Sequence, residues 1–412
     1  MTATTATTAT TTSPRTAELI AQAERFGAHN YHPLDVVLAR GEGAFVWDVD
    51  GRRYVDMLSA YSAVSQGHCH PRIVAALVAQ AGRLSLSSRA FHNDRMGEML
   101  ERIAGLSGFA RVLPMNTGAE AVETAIKAMR RWGYDVKHVE GDRAEIIVAA
   151  GNFHGRTTTI IGFSDEPSYR RGFGPPTPGF VLVPFGDAAA LAAAITPRTV
   201  GVLLEPIQGE GGVIIPPDGY LRAVREVCTR ERVLLCLDEI QTGLGRTGAM
   251  FAWQHEGARP DLIVLGKALS GGLYPVSCVC ADDEVMAVFT PGSHGSTYGG
   301  NPLGAAACVA ALDVLVDERL AERSAELGAH ALSRLRAELH SPEIAEVRGR
   351  GLMMAVDYRG CVAGEVARGL SAAGVLAKET RGKTIRLMPP LVISRKDLDT
   401  ALDAAMPVLD RR

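Results

Sequence analysis

Three places in this sequence put chemically capable residues where an apolar run gives out. Asn116-Thr-Gly-Ala-Glu120 follows the run Arg111–Met115 and opens Ala119–Trp132, where Val122, Ile126 and Met129 recur at helical spacing. At such a start the free N–H groups of Gly118 and Ala119 face outward with the helix dipole behind them, which suits a phosphate, although a Thr-capped helix with a glycine turn looks the same in isolation. The run Val233–Leu237 delivers Asp238, a carboxylate that is costly to desolvate unless a cation or donor meets it. Asp261-Leu-Ile-Val-Leu-Gly-Lys267 ends in a lysine, and Ala268, neither Ser nor Thr, excludes a P-loop. Taken singly, a salt bridge and a solvated amine account for the last two. Taken together, an amine, a carboxylate and an anion-binding helix start are the parts that pyridoxal phosphate requires: a Schiff-base partner, a group that keeps the ring nitrogen protonated, and a phosphate seat.

The elements that must position these groups read as an α/β fold. From about Ala60 to Leu303 short apolar runs alternate with amphipathic ones, the pattern of a parallel sheet covered by helices. The strands are read at Arg111–Met115, Glu145–Ala149, Phe180–Val183, Thr199–Glu205, Arg232–Asp238, Leu262–Leu265 and Val276–Cys280. Several are Val/Ile/Leu-rich throughout, as strands covered on both faces are. Tyr220–Arg230 is a helix with Leu221, Val224 and Cys228 on one side, and Pro71 opens another. After Leu303, helices at Gly304–Val316 and Glu318–Leu339, strands around Gly351–Asp357 and Thr384–Leu387, and a terminal helix from Lys396 read as a smaller α+β unit. Gly41–Asp56 has the spacing of a hairpin turning at Asp50-Gly51. The expected division is a disordered tail (1–13), a segment packing with the smaller domain or a partner subunit (14–60), a large cofactor-binding domain (61–303) and a C-terminal small domain (304–412).

Composition narrows the function classes. The 412 residues are 47% hydrophobic and 22% charged, which excludes disordered and fibrous chains and leaves room for more than one core. Lys plus Arg number 43 against 46 Asp plus Glu, so no electrostatic footprint points to nucleic acid or an anionic membrane, and a small-molecule partner is expected. Seven cysteines without a CxxC argue against a disulfide framework and a zinc ribbon and fit a reducing compartment, the cytoplasm. No metal is expected. Gly243-Leu-Gly-Arg-Thr-Gly248 matches GxGxxG but does not sit directly between a strand and a helix, so it reads as a tight loop. His68-Cys69-His70 lacks a second ligand pair, and Cys278 and Cys280 read as buried thiols.

From about Phe26 to Pro390 the sequence resembles the class III pyridoxal-phosphate aminotransferases. Leu237-Asp-Glu-Ile-Gln-Thr-Gly-Leu-Gly-Arg-Thr-Gly248, Gly266-Lys-Ala-Leu-Ser-Gly-Gly272 and Gly295-Ser-Thr-Tyr-Gly-Gly-Asn-Pro302 carry that resemblance. Phe26-Gly-Ala-His-Asn-Tyr-His-Pro33, Ser59–Pro71 and Glu205-Pro-Ile-Gln-Gly-Glu210 narrow it to the ornithine δ-aminotransferase branch. The resemblance implies the type I aminotransferase fold, with a mostly parallel seven-stranded sheet between helices in the large domain. It implies Lys267 as Schiff-base lysine and proton shuttle, Asp238 on the pyridinium, Phe153 stacked on the ring and Gln241 on the ring hydroxyl. Thr297 reaches the phosphate of the other subunit's cofactor, which makes the active unit at least a homodimer. For substrate, Arg156 pairs with the α-carboxylate of ornithine and Tyr31 meets its α-amino group. Glu210 masks Arg386 until 2-oxoglutarate arrives, and Tyr61 shapes the pocket. His154 is a form shared with acetylornithine enzymes, so acetylornithine or another ω-amino acid stays open as donor. A non-catalytic module that holds the cofactor is the alternative of a different class.

Overall fold

The computed structural model describes residues 13–411, and apart from Ser13 the expected tail lies outside the described residues. Ser13 itself caps the helix Pro14–Phe26, its Oγ accepting the Thr16 N–H at 3.1 Å. The central element is a seven-stranded sheet in the order 111–115, 277–281, 262–265, 234–238, 199–204, 145–149, 180–183. Six of its strands run in the same sense, and Ser277–Ala281 is antiparallel to both of its neighbours. Thr199–Leu204 and Leu234–Asp238 are buried at every residue, which explains why their sequences do not alternate.

Successive residues of each strand serve opposite faces. Ile146 and Val148 pack with Val122, Ile126 and Met129 of the helix Gly118–Asp135, whereas Ile147 and Ala149 pack with Leu221, Val224 and Cys228 of Tyr220–Arg230. With both faces covered, ligands have access at the carboxyl edge of the parallel strands, where an open α/β sheet holds them. The chain leaves that edge at Met115, Ala149, Leu204, Asp238 and Leu265.

Several boundaries differ from the sequence reading, each for a local reason. The strand expected from Arg232 begins at Leu234, because Arg232 sits at φ +50°, outside the extended region. The helix expected from Glu318 begins at Leu320 after Arg319 at φ +52°. The last sheet strand is shifted by one residue to Ser277–Ala281. Helices Met96–Ser107 and Ala363–Ala372 and strand Ile344–Arg350 had no counterpart in the reading.

A second, antiparallel sheet orders Ile344–Arg350, Met353–Tyr358, Thr384–Leu387 and Lys378–Thr380. The hairpin of Phe45–Asp48 and Arg53–Asp56 is joined outside by Leu38–Glu42, and its inner strand pairs in parallel with Val375–Leu376. The turn of the second sheet is wedged between two other backbones. A Cβ on Gly328, in the helix Leu320–Glu338, would lie 2.1 Å from the Gly351 carbonyl oxygen, and one on Gly351 would lie 2.4 Å from the carbonyl carbon of Thr247. Neither neighbour is a flexible side chain that can move aside. Gly328→Ala is therefore expected to lower the unfolding free energy by about 2 kcal/mol, read as a lower urea midpoint; an unchanged midpoint would show that the wedge yields freely.

Candidate active site

A cavity of about 210 Å³ lies at the carboxyl edge, lined by Gly118, Ala119, Phe153, His154, Glu205, Asp238, Gln241 and Lys267 among others. These residues arrive from five strand ends, at Met115, Ala149, Leu204, Asp238 and Leu265. Thr117 caps the helix Gly118–Asp135 in a capping box, with the Glu120 carboxylate accepting the N–H groups of Asn116 and Thr117 at 2.9 Å each. Ser277 Oγ fixes the same corner by donating to the Thr117 carbonyl at 2.7 Å. The N–H groups of Gly118 and Ala119 are thereby left without a partner among the described residues, at the positive end of an 18-residue helix. A Cβ on Gly155 would lie 2.9 Å from that of Ala119, so the loop after Phe153 closes directly over the helix start.

Asp238 is buried and held from two sides. Its Oδ1 accepts the Ile240 N–H at 3.0 Å, and its Oδ2 lies 2.7 Å from Nδ1 of His154, whose side chain is fully enclosed. Burial alone would lower the imidazole pKa, but the hydrogen bond and charge of Asp238, with Glu205 behind, outweigh it and raise the pKa. Nε2 of His154 has no hydrogen-bond partner among the described residues. Glu205 ties two loops together, its Oε1 accepting the Phe153 N–H at 2.9 Å and its Oε2 the Gly209 N–H at 3.0 Å. Burial pushes this carboxyl up to about 7, against the opposing pull of His154.

Lys267 begins a short 3₁₀ turn with φ +47°, a conformation that a non-glycine residue holds only when its surroundings enforce it. Burial lowers its ammonium pKa, and the carboxylates of Glu210, Asp238 and Glu205 partly offset that. Gln241 is also buried. Its Oε1 has no partner among the described residues, its Nε2 is 3.5 Å from Glu210 Oε1, and a Cβ on Gly209 would lie only 1.9 Å from Oε1.

The second sheet supplies one more charge. Arg386, 1% exposed on strand Thr384–Leu387, donates from Nη1 to Glu210 Oε1 at 2.5 Å, and its Cζ lies 5.0 Å from the centre of the Tyr61 ring. Burial would raise the Glu210 pKa, but the charge and hydrogen bond of Arg386, then Lys267 and Gln241, hold it below the usual carboxylate value. Arg156 is exposed at the mouth, its guanidinium 4.1 Å from the Tyr169 ring centre and 5.7 Å from that of Phe153. Tyr31 is 69% exposed and does not line the cavity. Thr297 is exposed and lines no part of the cavity, although Ser296 beside it accepts from Asn116 Nδ2 at 3.0 Å.

The chain alone thus brings together Gly118, Ala119, Phe153, Asp238, Gln241 and Lys267, with Glu210, Arg386 and Tyr61 adjoining them; Tyr31 and Arg156 lie further out and Thr297 apart. Sequence reasoning assigned no role to Glu205, Tyr169 or the His154–Asp238 pair. A carboxylate at the end of a wholly apolar strand was the signal available for Glu205, the same signal that singles out Asp238; nothing in the local pattern marks Tyr169.

The class-III aminotransferase family model matches residues 26–409. The ornithine aminotransferase of Brevibacillus brevis is 55% identical over 395 residues, covering 96% of this chain and 98% of the relative. An ornithine aminotransferase structure from Toxoplasma gondii, described as having partial occupancy of PLP at the active site, superposes with a TM-score of 0.95 at 45% identity, covering 96% of this chain and 94% of that one. The acetylornithine aminotransferase of Elizabethkingia anophelis superposes with a TM-score of 0.87 at 46% identity, covering 96% and 98%.

His154→Phe would leave Asp238 buried with a single donor. The expected loss is about 3 kcal/mol of unfolding free energy, measured by urea denaturation, with part of it recovered when Asp238→Asn is added to remove the uncompensated charge. No loss in the single variant would mean that water replaces the imidazole.

Proposed function

This chain belongs to the class-III aminotransferase family, and from that premise we propose that it transfers the δ-amino group of L-ornithine to 2-oxoglutarate, giving glutamate 5-semialdehyde and L-glutamate in two successive half-reactions. Enzymes of this family use pyridoxal 5'-phosphate, which when bound supplies an aldehyde carbon that takes up an amino group and a pyridine ring that withdraws electrons from it. The cavity fits such a group. Two unpartnered helix-start N–H groups suit its phosphate, the unpartnered Gln241 Oε1 suits its ring hydroxyl, and the enclosed Lys267 amine suits its aldehyde.

In this reading Gly118 and Ala119 hold the phosphate, Phe153 covers the ring face and Asp238, braced by His154, keeps the ring nitrogen protonated. Lys267 Nζ is held by burial toward its neutral form, the form that can bond to a carbonyl carbon and accept a proton. The same nitrogen carries the proton from the donor's δ-carbon. Arg156 binds the α-carboxylate of ornithine as a bidentate partner and afterwards the γ-carboxylate of 2-oxoglutarate, while Tyr31 meets the α-amino group. Thr297 of a second copy completes the phosphate seat, so the working unit is a homodimer or a larger homo-oligomer.

The observation that carries the reading is the enclosed Arg386–Glu210 pair at 2.5 Å beside Lys267. A bare guanidinium here would repel the δ-ammonium of ornithine and attract an α-carboxylate. Paired with Glu210, it presents little net charge to the first substrate. The α-carboxylate of 2-oxoglutarate then competes for the guanidinium, a differential contact of the kind that any ligand-driven switch requires. The names of the relatives at 53–57% identity support ornithine over other ω-amines.

Two measurements test the reading. Borohydride reduction of the purified enzyme followed by peptide mass mapping is expected to place the cofactor mass on Lys267 alone, and Lys267→Ala to abolish turnover; an adduct on another lysine would refute the assignment. In a panel of ornithine, acetylornithine, lysine and 4-aminobutyrate, ornithine is expected to lead. Tyr61→Ile should raise kcat/KM for 4-aminobutyrate by about tenfold or more; a wild type that prefers acetylornithine would overturn the substrate.

A further inference from the structure

Ser59, Ala60, Tyr61 and Ser62 lie at φ +46°, +46°, +58° and +74°. With ψ +48° at Ala60 and +43° at Tyr61, the segment is a turn of left-handed helix built without a glycine. L-residues visit this region singly, because Cβ crowds the following carbonyl, and four in succession persist only where the surroundings leave no alternative.

Those surroundings converge on one side chain. Asp56 Oδ1 accepts the N–H groups of Leu58 and Ser59 at 2.8 Å each, which fixes the entry to the turn. Arg246, 0% exposed, then grips the turn from below. Its Nη2 donates to Ser59 Oγ at 3.0 Å and to Ser65 Oγ at 3.1 Å, and its Nη1 donates to the carbonyls of Leu352 at 3.1 Å and Pro389 at 2.6 Å. Both serines pass the restraint on, Ser59 Oγ donating to the Met388 carbonyl at 2.7 Å and Ser65 Oγ to the Ser62 carbonyl at 3.0 Å. Arg246 makes no ion pair among the described residues, so a cation has been buried against neutral acceptors, and burial pulls its pKa down to about 9. Such a charge is expensive, and only a group that donates in several fixed directions at once answers to this set of acceptors.

Three of the four acceptors of Arg246 lie next to the residues that shape the pocket, and the fourth, the Leu352 carbonyl, directly precedes strand Met353–Tyr358. Ser59 and Ser65 bracket Tyr61, while Met388 and Pro389 directly follow the strand that carries Arg386. We propose that Arg246 is a positioning residue for substrate selection: its guanidinium fastens the left-handed turn to the end of the Arg386 strand and so sets the Tyr61 ring against Arg386. This rests on the reading of Tyr61 as a pocket residue given above.

The test is a double-mutant cycle on the holoenzyme, with kcat and KM measured separately for ornithine and 4-aminobutyrate. Arg246→Lys keeps the charge but loses the fork, and Ser59→Ala removes one acceptor at small cost to folding. Each is expected to raise KM for ornithine by about fivefold or more with kcat changed by less than about twofold, and to admit 4-aminobutyrate as Tyr61→Ile does. Adding Ser59→Ala to Tyr61→Ile should then change KM by less than about twofold, because the residue being positioned is already gone. If Tyr61→Ile alters selectivity but Ser59→Ala multiplies its effect independently, or leaves KM untouched alone, the positioning role is wrong and the pocket reading stands. If Tyr61→Ile alters nothing, the pocket reading fails and the positioning role with it.

Discussion

The site depends on holding opposite charges together where water is scarce. At the carboxyl edge of the sheet, Glu205, Asp238, His154 and Lys267 line one cavity, and the Glu210–Arg386 pair adjoins it. None of these could be ionised there alone without a heavy desolvation penalty. Asp238 is matched to His154, Glu210 to Arg386, and Glu205 to two backbone N–H groups, while burial holds Lys267 toward its neutral form. Arg386 comes from the second sheet, so the docking of that sheet completes the charge balance of a cavity built on the first. This gives the close backbone contacts at Gly328, Gly351 and Thr247 a chemical consequence, since they fix how deeply the second sheet sits.

Strain collects at the same place. Lys267 and Tyr61, proposed as reacting amine and pocket wall, are both non-glycine residues at positive φ. Elsewhere most turns that need such angles use glycine, as at Gly51 in the hairpin, where Asp48 Oδ1 accepts from the N–H groups of Asp50 and Arg52. A side chain is required at Lys267 and Tyr61, and the cost of the backbone is met by the network around it. Gly209 shows the opposite need. Any side chain there would collide with Gln241 and disturb Glu210 next to it.

Much of this could be read from the sequence, for one reason. Strands covered on both faces are written as continuous apolar runs, and a polar residue that ends one must lie at an edge of the sheet, which is how Asp238 and Lys267 came to notice. Glu205 ends the strand read at Thr199–Glu205 in the same manner, and no role for its carboxylate follows from that position alone. The sense of Ser277–Ala281 was not legible, because a buried antiparallel strand has the same composition as a parallel one. Nor was the turn at residues 59–62, which contains none of the glycines that announce positive φ. Gly243–Gly248 reads as a tight loop, but what Arg246 does inside it depends on acceptors from residues 59, 65, 352 and 389, which no local pattern assembles.

In the proposed reaction Glu210 neutralises Arg386 for one substrate and releases it for the next. Single-turnover measurement of the two half-reactions in Glu210→Ala tests it most directly, because the first should suffer and the second should not. Reaction with ornithine is expected to slow and reaction with glutamate to quicken, a shift toward α-amino transfer. Equal slowing of both would reduce the pair to a structural ion pair and contradict the account.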